Sequence, residues 1–297
     1  MNYGKKSVKQ KKKALQSTSS KLGRKCLLTF SKVLLLCVIA IGIIGICAGL
    51  GVFKGIIDSA PTITLEDATP TRYSSFIYDS KGNQMAKLIA EDSNRVPVTM
   101  DQIPTDLANA FVAIEDERFY QHNGIDIMGI LRAGVTAVKT GFKRQEGAST
   151  ITQQLIKNTV LTTWTQEKTL GERIKRKVQE QYLAIQLEKD TNDKSKILEQ
   201  YMNTINLGQN TLGVQAASKR YFNKNVWELS LSECATIAGI TQNPSKYNPL
   251  THPDKNQDRR EKVLTNMLEQ GYITGEPLEG SDAKFYQWAD GCLFSIR

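Results

Sequence analysis

The sequence is poor in cysteine and histidine, the residues that most often build disulfide frameworks and zinc sites. It contains 5 cysteines and 2 histidines in 297 residues. Three of the cysteines lie in or beside one apolar segment, and Cys234 and Cys292 are far apart, without CxxC or Cys/His spacing. The sequence therefore predicts neither a zinc site nor a disulfide framework.

Acidic residues are missing from the first part of the chain, where positive charge accumulates. Residues 1–32 contain ten Lys or Arg and no Asp or Glu. The formal net charge is +9, and +9 less 10 leaves −1 for the rest of the chain. A nearly neutral remainder offers no basic surface to a phosphate backbone, so nucleic acid is excluded as the main partner.

A long uncharged run follows the basic segment. Residues 33–53 are 21 consecutive residues without a charge, enough for a helix to cross a hydrocarbon core of about 30 Å. A cleavable signal peptide is the alternative, but its apolar region usually has about 7 to 15 residues. We favour a retained transmembrane helix, with residues 1–32 as a basic cytoplasmic tail by the positive-inside rule. The protein is then a single-pass protein of the cell membrane, with the rest of the chain on the extracellular or periplasmic face.

Beyond the apolar run, the pattern predicts a linker, a hairpin and a helical domain. Residues 54–74 are rich in Pro, Thr and Asp, which is typical of a stalk. The β-prone runs 75–78 and 84–88 flank a turn-rich spacer and predict a β-hairpin. We assign residues 75–275 to one domain. Residues 276–297 show no period and give the impression of a truncated C-terminus.

Apolar residues at spacings of three and four predict that this domain is mostly α. The three clearest sets are Leu107, Phe111 and Ile114; Ile127, Leu131, Val135 and Val138; and Ile174, Val178, Tyr182 and Ile185. A further amphipathic helix is predicted over residues 253–270, with Gly271 as its stop.

Polar residues interrupt these helices in several blocks. Residues 114–124 place three acids after an apolar helix face, where they oppose the helix dipole; a solvated helix end is the alternative interpretation. Residues 147–158 carry Ser149, Gln153 and Lys157 four residues apart, on one face of a helix. Such a face suits sugar hydroxyls or phosphate oxygens, although a plain surface helix can show it too.

Two more blocks follow at residues 176–180 and 196–203. Arg176 and Lys177 can each pair with Glu180 at helical spacing. The alternative is a surface salt bridge worth about 0.3 to 0.5 kcal/mol. Helix-packing positions dominate residues 196–203, which indicates an architectural role.

In this order, the four blocks resemble the glycosyltransferase domain of class A penicillin-binding proteins and of monofunctional peptidoglycan transglycosylases. The resemblance runs from about Ser75 to Thr274 and includes a fifth block at residues 235–249. It implies a lysozyme-like, two-lobed helical fold whose small lobe dips into the outer leaflet. It also implies an enzyme that polymerises lipid II onto a lipid-linked glycan chain, with cell-wall synthesis or division proteins as further partners.

The resemblance also implies roles for individual residues. Glu115 falls on the general base of the family, and Glu180 on the carboxylate of the Arg-Lys-x-x-Glu pattern, a second catalytic position that stays ionised and holds a metal or orients the pyrophosphate. The substrate-binding positions fall on Asp116, Phe119, His122, Ser149, Thr150, Gln153, Gln154, Lys157, Asn158, Arg176 and Lys177, with Lys157 and Arg176 on phosphate. The family usually has an Arg a few residues before the Arg-Lys-x-x-Glu block. Here either Lys168 or Arg173 takes that role.

These residue types suit glycosyl transfer to a sugar hydroxyl. The hydroxyl is too weak an acid to attack at neutral pH, so a carboxylate such as Glu115 must take its proton, an effect of about 10² to 10⁴ in rate. A pyrophosphate leaving group needs cations, from Lys157, Arg176 and a divalent metal such as Mg²⁺ or Mn²⁺. No organic cofactor is implied. A single displacement inverts the anomeric carbon.

Two alternative functions stay open. A lysozyme-like hydrolase of peptidoglycan would share the fold and the polymer, but a glycosidase pairs two carboxylates without such a set of cations. The other alternative is an inactive, membrane-anchored fragment of a class A penicillin-binding protein.

Overall fold

The structure of the chain, a computed structural model, covers most of the sequence in two units. It describes residues 4–15, 18–90, 93–141, 147–274, 276–277, 284–287 and 293–296. Contacts between Cα atoms divide the chain into Met1–Ser59 and Ala60–Arg297. The basic tail and the apolar run fall in the first unit, and the hairpin and the helical domain fall in the second.

The first unit contains two helices, α1 (Lys5–Leu15) and α2 (Thr18–Asp58). Within α2, the 34 residues Lys25–Asp58 are long and apolar enough to cross a membrane. The predicted span 33–53 therefore lies inside one continuous helix. That helix also takes in residues 54–58 of the predicted stalk, since no proline interrupts the backbone hydrogen bonding before Pro61.

The predicted hairpin opens the second unit and is confirmed. β1 (Ser75–Tyr78) and β2 (Gln84–Leu88) pair antiparallel. Asp79 holds the turn, because its Oδ1 accepts hydrogen bonds from the N–H groups of Lys81 and Asn83, each at 2.8 Å. A carboxylate that binds backbone N–H groups two and four residues ahead is a local reason for the chain to reverse there.

Helices dominate the described part of the second unit, so the mostly α fold class is confirmed. They are α3 (Thr105–Glu115), α4 (Ile127–Lys139), α5 (Ile151–Thr159), α6 (Leu170–Thr191), α7 (Lys194–Thr204), α8 (Val214–Phe222), α9 (Leu231–Ile240) and α10 (Pro253–Glu269). Single 3-10 turns lie at Met100–Gln102, Thr162–Gln166 and Val226–Glu228.

The C-terminal segment, which shows no period in the sequence, contains three short strands. β3 (Glu276–Pro277), β4 (Lys284–Gln287) and β5 (Leu293–Ile296) form one antiparallel sheet in that order. Strands of two to four residues are too short for an alternating pattern to emerge from the sequence.

The core of the second unit lies where α3, α5, α6, α7, α9 and α10 meet. Its fully buried apolar side chains include Leu107, Phe111, Ile151, Leu155, Leu183, Leu187, Ile197, Tyr201, Ile237 and Leu264. Each contributes about 1.5 to 3 kcal/mol by leaving water. The rings of Phe111 and Tyr201 meet edge to face, with centroids 5.8 Å apart. This contact brings α7 against α3 shortly before α3 ends at Glu115.

The apolar residues of α4 form a helix as predicted, but that face is exposed. Ile127, Leu131, Val135 and Val138 are all more than half exposed. The sequence pattern correctly predicts an amphipathic helix. In the described structure, the apolar face of this helix does not pack against the core.

In α6 the buried face differs from the one the apolar spacing suggests. Ile174 is 52 % exposed and Ile185 is 41 % exposed. The buried positions are instead Leu183, Ala184 and Leu187, together with polar residues such as Glu180. The reason is that α6 turns a charged face toward α5, and this charged face belongs to the site described next.

Candidate active site

Glu115 is the last residue of α3, and two other helical segments hold its carboxylate. Gln154 of α5 donates from Nε2 to Glu115 Oε2 at 2.8 Å. The hydroxyl of Thr241, which follows α9, donates to Glu115 Oε1. The side chain is half-buried. An acid at a helix C-terminus opposes the helix dipole, and these two donors offset that cost.

Tyr201 orients the amide that holds Glu115. Its hydroxyl donates to Gln154 Oε1 at 3.2 Å, so the Nε2 end of the same amide faces the carboxylate. Tyr201 is fully buried, and this burial, with smaller effects of Glu115 and Asp116, raises the pKa of its phenol well above the ordinary value. The phenol therefore keeps its proton and remains a donor. Sequence reasoning treated residues 196–203 as architecture and missed this contact.

Asp116 joins the end of α3 to the start of α5. Its Oδ2 accepts a hydrogen bond from the backbone N–H of Ile151 at 2.9 Å, and its Oδ1 lies 2.9 Å from His122 Nε2. Asp116 is buried, and Phe119 is fully buried beneath the Lys194 ammonium. For Asp116, Phe119 and His122 this geometry favours a positioning role; the substrate contact implied by the resemblance stays a prediction.

Gly124 allows the chain to pass close to α6. Its φ is +84°, and a Cβ atom there would lie 2.6 Å from the backbone carbonyl of Ala184. The Gly124 carbonyl accepts hydrogen bonds from Thr150 Oγ1 at 2.9 Å and from Gln153 Nε2 at 3.0 Å. Only glycine adopts this conformation without strain. The two hydrogen bonds join this turn to the start of α5.

The polar face predicted around α5 is largely assembled. Thr150 is the N-cap of α5, and Ser149 precedes the helix instead of lying on it. Ser149 Oγ and Gln153 Oε1 both accept hydrogen bonds from Lys177 Nζ, at 2.7 and 3.0 Å. Asn158 lies half-buried near the end of the helix, and its role stays a prediction.

The charged block of α6 is centred on a buried carboxylate, with Arg176 and Lys177 half-buried around it. Glu180 is 1 % exposed. Its Oε1 pairs with Arg176 Nη1, and its Oε2 pairs with Lys177 Nζ at 2.9 Å. Arg176 also pairs with Glu167, at 2.6 Å. Leaving the buried carboxylate of Glu180 without its partners would be costly. The ion pairs therefore hold these three side chains in place.

A cleft of about 320 Å³ lies between α5 and α6. It is lined by Ser149, Gln153, Gln154, Lys157, Trp164, Arg176, Lys177 and Glu180. All of these except Trp164 were candidates from the sequence. Trp164 stands in a 3-10 turn without helical or strand period, so no pattern pointed to it.

Lys157 differs from the other cations of this cleft. Its ammonium lies 4.4 Å from the centroid of the Trp164 ring, a cation–π contact. It forms no ion pair with the described residues. Burial lowers the pKa of Lys157, and the nearby carboxylates of Glu180 and Glu115 partly counter this.

A second cleft, of about 590 Å³, opens beside Glu115. Its lining carries three cations, Arg132 of α4 and Arg259 and Lys262 of α10, and four acids, Glu115, Asp116, Glu117 and Glu269. Arg132 pairs with Glu117 at 3.0 Å. Arg259 is half-buried, and within the described residues its Nε has no hydrogen-bond partner. Burial lowers its pKa while Glu115 raises it, although a guanidinium remains charged at any physiological pH. Sequence reasoning recognised α10 only as an amphipathic helix, so this cation was missed.

Two residues were candidates for the additional cation before the Arg-Lys-x-x-Glu block. Lys168 and Arg173 are both exposed. The backbone N–H of Lys168 donates to Glu172 Oε2 at 2.8 Å, as part of the start of α6. Neither side chain is among those that line the cleft between α5 and α6, and the choice between them stays open.

A metal site built from protein ligands alone does not fit the described residues. They contain no group of three or more His, Cys, Asp or Glu side chains placed to hold an ion. Both oxygens of Glu180 are already paired with cations. The divalent metal remains a prediction from the chemistry, and no step below depends on it.

Cations that line a cleft near a carboxylate can stabilise negative charge that develops during a reaction. Residues 81–268 match the family model described as Transglycosylase. This match covers more than half of the chain, and the chain belongs to that family.

Curated relatives from several bacteria match two thirds or more of this chain. Penicillin-binding protein 1A of Clostridium botulinum (strain Langeland / NCTC 10281 / Type F) is 47 % identical over 232 residues, 75 % of this chain and 27 % of that protein. Penicillin-binding protein 1A of Aquifex aeolicus (strain VF5) is 46 % identical over 215 residues, 72 % of this chain and 28 % of that protein. Penicillin-binding protein 1F of Bacillus subtilis (strain 168) is 46 % identical over 203 residues, 68 % and 27 % respectively. The chain thus spans little more than a quarter of the length of these relatives.

Proposed function

We propose that the protein is a peptidoglycan glycosyltransferase that polymerises lipid II into glycan strands and releases undecaprenyl diphosphate, with inversion at the anomeric carbon. Membership of the transglycosylase family supports the reaction class. The observation that carries the proposal is the hydrogen bond from Gln154 to Glu115, because Gln154 also lines the cation-lined cleft. One residue therefore links the candidate base to the candidate phosphate site.

Glu115 is the general base in this proposal. It takes the proton of the acceptor hydroxyl as the oxygen attacks the anomeric carbon of the donor. Gln154 and Thr241 hold the carboxylate in place with one hydrogen bond to each oxygen. Because each oxygen retains a further lone pair for an incoming hydroxyl, the two bonds orient the base without blocking it.

The cleft between α5 and α6 takes the pyrophosphate of the donor. Arg176 and Lys177 are already neutralised in part by Glu180, whereas Lys157 has no ion pair with the described residues. Lys157 is therefore the cation with most of its charge available to the leaving group. Stabilising that developing charge does not require a proton donor, which is why a second carboxylic acid is not needed.

The second cleft, with Arg132, Arg259 and Lys262, takes the acceptor in this scheme. The acceptor is also lipid-linked and anionic, and its hydroxyl must reach Glu115, which lines that cleft. Glu115 lines this cleft, and its hydrogen-bond partner Gln154 lines the cleft between α5 and α6. Two clefts that meet at one base and its partner suit a reaction that joins two substrates.

The setting of the reaction follows from the same proposal. We propose that the protein is anchored in the cell membrane by α2, with its N-terminus in the cytoplasm and its catalytic domain outside. Lipid II, the lipid-linked glycan chain and the membrane are its partners, and cell-wall synthesis or division proteins are further candidates. A divalent cation, Mg²⁺ or Mn²⁺, would be carried with the pyrophosphate.

The substitution Glu115→Gln tests the reaction. Since it removes the base while preserving shape, we expect the rate of polymerisation of fluorescent lipid II to fall at least a hundredfold. The matched control is Glu66→Gln, at an exposed position, which should keep the wild-type rate. Retention of more than about a tenth of the rate in Glu115→Gln contradicts the assignment. Release of fragments from finished cell wall, with no polymer from lipid II, would establish the hydrolase instead.

A further inference from the structure

The cations of α1 are gathered on one side of the helix. With about 100° between successive residues, its six lysines fall on an arc of roughly 220° that also contains Val8. The six are Lys5, Lys6, Lys9, Lys11, Lys12 and Lys13. The opposite side carries only the uncharged Ser7, Gln10 and Ala14. The helix therefore has one cationic face and one neutral face.

Among the described residues of the first unit, these lysines have no acidic neighbour in the sequence. No Asp or Glu occurs before Asp58 in the sequence. All six lysine side chains are exposed, and Val8, on the same face, is 49 % exposed. Six like charges on one helix repel one another unless anions lie against them. Anions from outside the first unit would therefore stabilise this face.

The orientation of the membrane helix does not account for the positive charge on this face of α1. The charges that set orientation lie within about 15 to 20 residues of the span. Lys21, Arg24, Lys25 and Lys32 satisfy that requirement, whereas Lys5 to Lys13 lie 20 to 28 residues before Val33. The positive-inside rule is therefore met without the lysines of α1. Their charge must have another function.

We propose that α1 binds the anionic phospholipid headgroups of the leaflet on the N-terminal side of the membrane helix. The apolar run of residues 33–53 begins 18 residues beyond the end of α1, and the chain is helical from Thr18 onward. The 15 helical residues before Val33 cover about 23 Å at 1.5 Å per residue, so α1 stays near the headgroups at high effective concentration. Lysines attract an anionic surface within a Debye length, and Val8 on the same face adds apolar contact with the headgroup boundary.

The experiment measures amide hydrogen exchange of residues 4–15 in the full chain reconstituted into nanodiscs. One set of nanodiscs is zwitterionic, and the other contains about a third of phosphatidylglycerol. We expect exchange to be at least tenfold slower in the anionic nanodiscs at low salt, and this difference to disappear at about 0.5 M salt because of screening. Equal exchange in both compositions at low salt would overturn the proposal.

Substitutions separate charge from other causes. Replacing Lys9, Lys11, Lys12 and Lys13 by Gln should abolish the difference, since Gln and Lys have similar helix propensities. The matched control replaces four exposed lysines of the second unit, Lys81, Lys189, Lys219 and Lys255, and should preserve the difference. Slower exchange caused by inorganic phosphate or by an RNA oligonucleotide in zwitterionic nanodiscs, to the same extent as by anionic lipid, would show general anion binding and contradict a lipid site.

Discussion

At the scale of single residues, the position of Glu115 depends on groups that are far away in sequence. Gln154 and Thr241 stand in different helical segments and both donate to this carboxylate, and Tyr201 of a third helix acts on it through Gln154. A sequence pattern can mark the acid and the polar face, because each lies within a short block. It cannot mark Tyr201 or Arg259, because their relation to Glu115 arises only when α7 and α10 pack against α3.

The Tyr201 hydroxyl offers a test of this arrangement. In Tyr201→Phe the half-buried Gln154 loses the donor to its Oε1, which costs about 0.5 to 1.5 kcal/mol and frees the amide to turn away from Glu115. We expect kcat for polymerisation to fall about tenfold or more, with a smaller change in KM.

A second tyrosine provides the matched control for this substitution. The Tyr221 hydroxyl donates to the backbone oxygen of Leu207 at 2.7 Å, and it does not contact Glu115. Tyr221→Phe should lower the free energy of unfolding by a similar amount and leave kcat unchanged. Equal losses of kcat in the two variants would show that Tyr201 acts only through stability.

The lowered pKa of Lys157 leads us to expect that activity falls at alkaline pH. Because burial lowers the pKa of this ammonium, it loses its proton at a lower pH than an exposed lysine, and the charge that we propose binds pyrophosphate is lost with it. We expect kcat/KM to fall on the alkaline side as this proton leaves. Lys157→Arg, whose guanidinium stays charged, should extend activity to higher pH.

Two further variants complete the test of Lys157. Lys157→Met removes the charge at every pH and should lower kcat/KM about tenfold to a hundredfold, the size of one charge-assisted hydrogen bond. The same substitution should also weaken the binding of a phosphoglycolipid inhibitor such as moenomycin. The resemblance to peptidoglycan transglycosylases implies such a ligand. Lys189→Arg, at an exposed lysine, should leave the pH profile unchanged. An alkaline limb that is the same in wild type and Lys157→Arg would assign that limb to another group.

At the scale of elements, the sequence predicts helices well and their burial less well. α3 and α10 have apolar side chains at helical spacing and bury them. α6 has the same spacing, but its buried face includes Glu180, since ion pairs with Arg176 and Lys177 compensate the cost of burying the carboxylate. Apolar spacing cannot predict such a face, because it registers a buried carboxylate as a surface position.

The turn at Gly124 is the element on which the site is built, and substitution tests it. Gly124→Ala would combine a φ of +84° with a contact of 2.6 Å to the backbone of Ala184. We expect the free energy of unfolding to fall by about 3 kcal/mol or more. Activity of the remaining folded protein should fall as well, since α5 is held through the Gly124 carbonyl.

Gly82 separates the two causes of that loss. It has a φ of +81°, but no atom lies within 4 Å of the Cβ that alanine would add. Gly82→Ala should therefore cost only about 1 to 2 kcal/mol, from the backbone conformation alone, with normal activity. Chemical unfolding in detergent measures both values, and similar losses at the two positions would refute the close approach to α6.

At the scale of the whole molecule, the chain contains a membrane helix and a second apolar surface on a different unit. The exposed face of α4 carries Ile127, Leu131, Val135 and Val138, all more than half exposed. An apolar face of this kind on a soluble unit marks contact with a membrane or a partner. The second unit has its own buried core, so we expect a chain shortened to begin at Ala60 to fold without α2.

The shortened chain shows whether α4 provides membrane contact by itself. We expect it to float with lipid vesicles, and to polymerise lipid II only with detergent or at higher substrate concentration, because the tether that raises the local concentration is gone. Leu131→Ser with Val135→Ser should release it from the vesicles. Ile77→Ser with Met85→Ser removes two exposed apolar residues from the hairpin instead and should leave flotation unchanged. If the α4 variant still floats as well as the unsubstituted chain, membrane contact lies elsewhere in the second unit, and the apolar face of α4 is left for a protein partner.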